Sequence, residues 1–191
     1  MEKTLSQQDN NCVKVVLYGP ESSGKTTIAA ALADAFNTEW VPEFAREFLQ
    51  QKWDNTQEVC SLEDLHTIAI GQMEAENKAL QKANKVLFCD TNIWVTKVWS
   101  ETRFDGYSSL QLNQWAQEVN YHYYLLTSPD IPWEKDDLRD RPNQRETMFD
   151  YFEKTLVENH FPYTCLKGSH KNRLKQATEA VQNLLKNHYA Y

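Results

Sequence analysis

The chain has 191 residues, 41% hydrophobic and 12% aromatic, with only five glycines and six prolines. That excludes collagen-like and low-complexity classes and fits one domain whose core needs no disulfide or metal staple. Lys and Arg number 20 against 27 Asp and Glu, a net charge of −7, which disfavours general binding to nucleic acid or anionic membrane and leaves room only for a local basic site for a small anion.

No apolar run approaches the roughly 20 residues that span a bilayer. The N-terminus MEKTLSQQDNN lacks the apolar core of a secretory leader, so residues 1–12 are expected to be a frayed polar tail ahead of a domain over 13–191. The four cysteines, Cys12, Cys60, Cys89 and Cys165, form no CxxC pair. They are read as reduced thiols of a cytoplasmic protein.

Apolar runs and helical patterns alternate along the chain. Val13 to Tyr18 is a β-branched run that stops at Gly19, a buried strand. Thr26 to Phe36 reads as a helix, Glu39 to Val41 as a short strand closed by Pro42, and Glu43 to Lys52 as a helix. Ser61 to Ala83 is the clearest helix, opened by a capping box of Ser61 and Asp64. Lys85 to Cys89 is a third strand ended by Asp90. Asn92 to Glu101 and Ser108 to Val119 are helical, and Tyr121 to Thr127 is a fourth strand. A charged, proline-bearing loop over Ser128 to Asn143 leads into helix Gln144 to Asn159, strand Tyr163 to Leu166 and a final amphipathic helix, Lys171 to Lys186. Such alternation predicts an α/β fold, a five-stranded parallel sheet with helices on both faces. Ligands of these sheets bind beyond the carboxyl ends of the strands, which directs attention to Gly19, Glu43 and Asp90. Self-association is not readable: the long helix could pack in a dimer, although a helix more commonly covers its own sheet.

Gly19-Pro20-Glu21-Ser22-Ser23-Gly24-Lys25-Thr26 matches G-x-x-x-x-G-K-[ST] between a strand and a helix, and Thr27 follows it. The two glycines let successive N–H groups turn inward toward phosphate oxygens, and the new helix adds its positive end. Lys25 would reach the outer phosphates and Thr26 would ligate Mg²⁺. The motif predicts ATP and magnesium but not the reaction. Asp90, delivered by an apolar strand, is the expected second magnesium ligand; a mere strand-capping role is the alternative.

Glu43 follows the second strand, where a small acceptor hydroxyl would lie, and is the first candidate for the group that takes or orients its proton. Glu47 is expected one turn on, on the same face; an ordinary charged helix start is the competing reading. Whether Glu43 or Asp90 is the base stays open. Arg139, Arg141 and Arg145 lie in a loop of about residues 129–146 that could close as a lid over the triphosphate, or simply pair with Asp136, Asp137 and Asp140. Trp40, Trp94, Trp99 and Trp133 lie at or after strand ends, where an aromatic face can stack on a planar or cationic ring. Trp40 and Trp94 are the acceptor-side candidates, with core packing as the alternative.

VVLYGPESSGKTT, then WVPEFAREFL, LFCDTN and DDLRDR, resemble the ribosylnicotinamide kinase domain of NadR-type proteins, a group related to AAA-type ATPase-like P-loop domains. The resemblance runs from about Val13 to Leu185. It implies a three-layer P-loop NTPase fold of the nucleoside and nucleotide kinase kind, with a lid. It also implies transfer of the ATP γ-phosphate to the 5′-hydroxyl of nicotinamide riboside. On that resemblance Gly19 to Thr26 bind ATP, Asp90 serves magnesium or the acceptor, Glu43 and Arg46 lie on the nucleoside side, and Arg139, Arg141 and Arg145 belong to the lid. Two features depart from the pattern. NadR-type proteins carry an adenylyltransferase domain, some with a helix-turn-helix, which 191 residues do not accommodate, and Asp90-Thr91-Asn92 stands where the family often reads D-T-D. The alternatives are a kinase for another nucleoside or nucleotide, or a regulatory P-loop ATPase acting through a protein partner.

Overall fold

The computed structural model describes residues 5–190. Five parallel strands form one sheet: β1 (Val13–Tyr18), β2 (Trp40–Val41), β3 (Val86–Asp90), β4 (Tyr123–Thr127) and β5 (Tyr163–Leu166), in the spatial order β2-β3-β1-β4-β5. Among the described residues six helices connect them, α1 (Lys25–Phe36), α2 (Phe44–Thr56), α3 (Leu62–Leu80), α4 (Ile93–Arg103), α5 (Leu110–Glu118) and α6 (Arg145–Glu158), and α7 (His170–His188) follows the last strand. Among the described residues no helix is long and apolar enough to cross a membrane.

Because every β1 residue is buried, its alternate side chains feed two cores. Val16 and Tyr18 join the core covered by α3, α4, α5 and α6, while Val13, Val15 and Leu17 join the one covered by α1 and α7. The result is three layers. Side chains start several helices: Asp64 accepts the Ser61 N–H at 2.7 Å ahead of α3, and Ser109 Oγ accepts the Leu112 N–H at 3.1 Å in α5. α3 spends its apolar face on its own sheet.

α2 buries no residue fully and is held to α3 at its first turn. The Phe44 ring lies over Gly71, where an added Cβ would come within 2.3 Å of it, and Gln72 Oε1 accepts the Phe44 N–H at 2.9 Å. A glycine in the middle of a helix lowers its propensity, but here it lets α2 approach and so places Glu43.

The expected polar tail is not frayed over residues 5–12. Leu5 and Cys12 are buried in the larger core. Gln8 N–H donates to Asn77 Oδ1 and Asn77 Nδ2 donates to Ser6 O, both at 2.8 Å, so the segment straps α3. One buried leucine and backbone amides paired with a helix side chain leave no periodic trace in the sequence. Residues 1–4 of the tail lie outside the described residues.

Beneath that strap sits a buried acid. Tyr121 donates its hydroxyl to Glu76 at 2.9 Å, with Lys14, Gln72 and Cys89 around it. Burial nevertheless pushes the Glu76 carboxyl up to about 7 from an ordinary 4.5. A raised folded-state value favours the protonated native protein, so this group's contribution to stability is complete below about pH 4.5 and lost as pH climbs through about 7. Denaturant unfolding at pH 5 and pH 8 is therefore expected to show a fall in stability that Glu76→Gln reduces by about 2.5 kcal/mol. An unchanged pH difference in the variant would show that Glu76 titrates normally.

Candidate active site

The carboxyl ends of β1, β2 and β3 open into one cleft of about 470 Å³. Gly19 to Gly24 curl between β1 and α1. Gly19 adopts φ 134° with its α-carbon against β4, where a Cβ would meet Thr127 O and Oγ1 at 2.8 Å. Ser23 Oγ donates to Pro20 O at 2.7 Å and bonds Thr127 Oγ1 at 2.6 Å, which locks the loop from behind. Gly24 brings no capping side chain to α1, so the helix's first N–H groups stay open to an anion.

Lys25 lies over the loop, its Nζ donating to Gly19 O at 3.0 Å and Pro20 O at 2.7 Å. Thr26 Oγ1 donates to Asp90 Oδ2 at 2.5 Å. Asp90 is 1% exposed, and its Oδ1 has no hydrogen-bond partner among the described residues. A hydroxyl and a carboxylate converging beside a phosphate loop are the donor set that magnesium takes when phosphates supply its other ligands, so these residues fit both ATP and the metal.

Glu43 faces Asp90 across this floor. It sits at the N-cap of α2 in an extended conformation, but its side chain makes no capping bond. Burial, then the charge of Asp90, holds the Glu43 carboxyl above its usual range, with Lys25 pulling the other way. Asp90 is raised too, by burial, against the opposing pull of Lys25 and Thr26. Glu21 also borders the cleft, pushed up to about 7 by burial and by Asp140.

From Glu43 the cleft runs between α2 and α4. Arg46, Leu49 and Trp53 line one side and Val95, Thr96, Trp99 and Arg103 the other. The loop over 128–144 crosses the mouth and is already tied down. Asp136 pairs with Arg46 and with Arg139 (3.2 Å), Asp140 pairs with Arg103 at 2.9 Å, and Glu134 N–H donates to Ser22 Oγ at 2.8 Å.

Comparison with known proteins agrees with this geometry. The model of a family described as AAA domain matches residues 14–173. The chain belongs to that family. It is 25% identical over 174 residues to the trifunctional NAD biosynthesis/regulator protein NadR of Salmonella typhimurium, covering 90% of this chain and 42% of NadR. The chain therefore spans less than half the length of that relative. A crystal structure of NadR in complex with NR superposes with a TM-score of 0.75 at 20% identity, over 92% of this chain and 52% of that one. Deoxyadenosine kinase from M. mycoides does so with 0.66 at 12% identity, over 90% of this chain and all of the kinase. At these identities the structural likeness is one of fold: a P-loop α/β domain of the nucleoside kinase kind.

Of the residues singled out in the sequence, Glu21, Ser22, Ser23, Gly24, Lys25, Thr26, Thr27, Glu43, Arg46 and Arg139 line the cleft, and Asp90 forms its floor through Thr26. Five of the others lie elsewhere. Trp40 packs into the core under α1, and Trp94 is 5% exposed with its edge on Phe161, so neither reaches an acceptor. Glu47 is exposed and accepts from Gln51 at 3.3 Å. Arg141 spreads over the Trp99 ring at 4.9 Å and donates to Thr102 O at 3.1 Å. Arg145 donates to Ile131 O at 2.8 Å and Ser22 O at 2.9 Å, bracing the phosphate loop from outside. Backbone carbonyls, which no sequence pattern reveals, have claimed both guanidiniums.

Sequence reasoning missed Trp53, Gln72, Thr127 and Arg173. Trp53 follows Arg46 and Leu49 at helical spacing, a signal that was available. Arg173, on the inner side of α7, is 2% exposed. It donates to Ser23 O at 2.6 Å, Ser128 O at 2.8 Å and Gly168 O at 2.8 Å, and pairs with Asp130.

Proposed function

We propose that this protein is an ATP-dependent kinase that phosphorylates the 5′-hydroxyl of a nucleoside, and that its acceptor is nicotinamide riboside, giving nicotinamide mononucleotide and ADP. The observation that carries this reading is the convergence of Glu43, Asp90, Lys25 and Thr26 on one cleft whose far end is lined by tryptophan side chains.

The loop N–H groups and the start of α1 bind the phosphates, and Lys25 exchanges the loop carbonyls it now holds for phosphate oxygens. Thr26 and Asp90 would hold magnesium, which would offset charge on the transferring group. Glu43 accepts the proton of the acceptor hydroxyl as its oxygen bonds to the γ-phosphorus and the bond from phosphorus to the β–γ bridging oxygen breaks, leaving ADP. Arg139 lines the cleft, held by Glu134 O and Asp136, and on this reading it leaves them to balance charge that develops in transfer. The acceptor ring extends toward Trp53, with Glu58 and Asp137 on the same walls, a combination suited to a cationic aromatic ring.

Purified protein incubated with Mg-ATP and nicotinamide riboside is expected to form ADP and mononucleotide in equal amounts. Lys25→Ala should lower both ATP affinity and turnover, together about 100-fold in kcat/KM. ADP release that ignores every nucleoside in a panel and responds instead to an added protein would favour the regulatory ATPase.

A further inference from the structure

The phosphate loop contains one acid whose purpose phosphate binding does not explain. Among the described residues no hydrogen bond reaches the Glu21 carboxylate, and its Oε2 is buried without a partner. The neighbouring side chains are committed: Ser22 Oγ accepts the Glu134 N–H, and Ser23 Oγ is shared between Pro20 O and Thr127. Pro20 has no polar side chain. Lys25 is held by Gly19 O and Pro20 O, so among the described residues Glu21 is the loop's one uncommitted polar side chain, and it borders the cleft within electrostatic reach of Glu43, Lys25, Asp140 and Arg141.

A carboxylate repels phosphate oxygens, so its natural partner in a kinase cleft is a neutral donor. The acceptor side of this cleft, marked by Glu43, offers one kind: the sugar hydroxyls next to the 5′-position. Other orphaned polar groups at the site are already explained. The free Asp90 oxygen suits magnesium, Gln72 Nε2 lies beside the buried Glu76 carboxyl, and Arg145 Nε belongs to a guanidinium whose other nitrogens hold Ile131 O and Ser22 O.

We propose that Glu21 is a specificity-determining residue that accepts a hydrogen bond from the 2′- or 3′-hydroxyl of the acceptor and so sets the enzyme against the matching deoxynucleoside. This rests on the kinase reading above. An acceptor lacking the hydroxyl leaves the carboxylate unpaired in a half-buried position, which is how a polar site rejects a smaller analogue.

The test compares nicotinamide riboside with its 2′-deoxy and 3′-deoxy forms at saturating Mg-ATP. The wild-type protein is expected to lose about 10–100-fold in kcat/KM with one of the two, mainly through KM. Glu21→Ala should bring the riboside down to that level and abolish the preference, with AMP-PNP binding retained. Glu21→Gln keeps the side chain's shape and one accepting oxygen, so it should retain part of the preference and separates lost recognition from misfolding. Equal use of all three acceptors by the wild type overturns the proposal, as does an unchanged preference in Glu21→Ala. So does loss of AMP-PNP affinity in Glu21→Gln with the preference intact, since the carboxylate would then serve the donor. ADP formation with no nucleoside at all overturns the kinase reading and this one with it, whereas ADP formation without discrimination overturns this one alone.

Discussion

Glu43→Gln is expected to lower kcat by about 10²–10⁴-fold, the range for loss of a positioned proton acceptor, while ATP affinity stays within a few-fold of wild type. The substitution is close to isosteric and spares the backbone that starts α2, since the Glu43 carbonyl accepts the Arg46 N–H at 3.2 Å and its side chain plays no capping part. The readout is single-turnover transfer alongside AMP-PNP binding. The pH profile gives a second. Burial and the Asp90 charge raise the Glu43 carboxyl above its ordinary 4.5, and the ionised form is the one that accepts a proton. Wild-type turnover should therefore fall on the acid side at a pH above the usual carboxylate range, and the variant should lose that limb. A variant with wild-type kcat would remove Glu43 from the chemistry.

Arg173→Leu is expected to destabilise the fold by about 3–5 kcal/mol, the cost of removing one partner from a buried charged network, and to weaken ATP binding as well. The guanidinium is the one side chain that reaches all three of these segments among the described residues: the phosphate loop at Ser23, the end of β4 at Ser128 and Asp130, and the turn before α7 at Gly168. Leucine fills much of the volume but leaves three carbonyls without their donor. Guanidinium unfolding curves measure the first effect and nucleotide titration the second. A loss below about 1 kcal/mol would mean that water replaces the network at little cost.

These two residues show what a sequence reveals and what it conceals. Glu43 was visible because strand, proline and acid follow one another in a chain whose phosphate motif had already oriented the sheet. The elements themselves were legible from periodicity, and observed boundaries depart from the expected ones by a few residues at most, as in α2, which runs on to Thr56. Arg173 was concealed because its partners are backbone carbonyls far away in the chain, and on a helical wheel it looks like one more polar residue. Glu47 failed for a local reason: Glu43 lies outside the helix, in extended backbone, so four-residue spacing does not put the two on one face. Trp40 and Trp94 failed because an aromatic at a strand end can turn toward either layer. Trp40 turns under α1, and Trp94 is taken up by Phe161.

β2 pairs through only Trp40 and Val41, at the rim of the sheet, whereas the phosphate loop hangs from the central strand. The two halves of the reaction thus rest on foundations of unequal stiffness. Substitutions along α2 and its seam with α3 can shift which alcohol is accommodated while leaving the nucleotide's seat undisturbed, which makes that outer flank the natural place to re-engineer substrate choice.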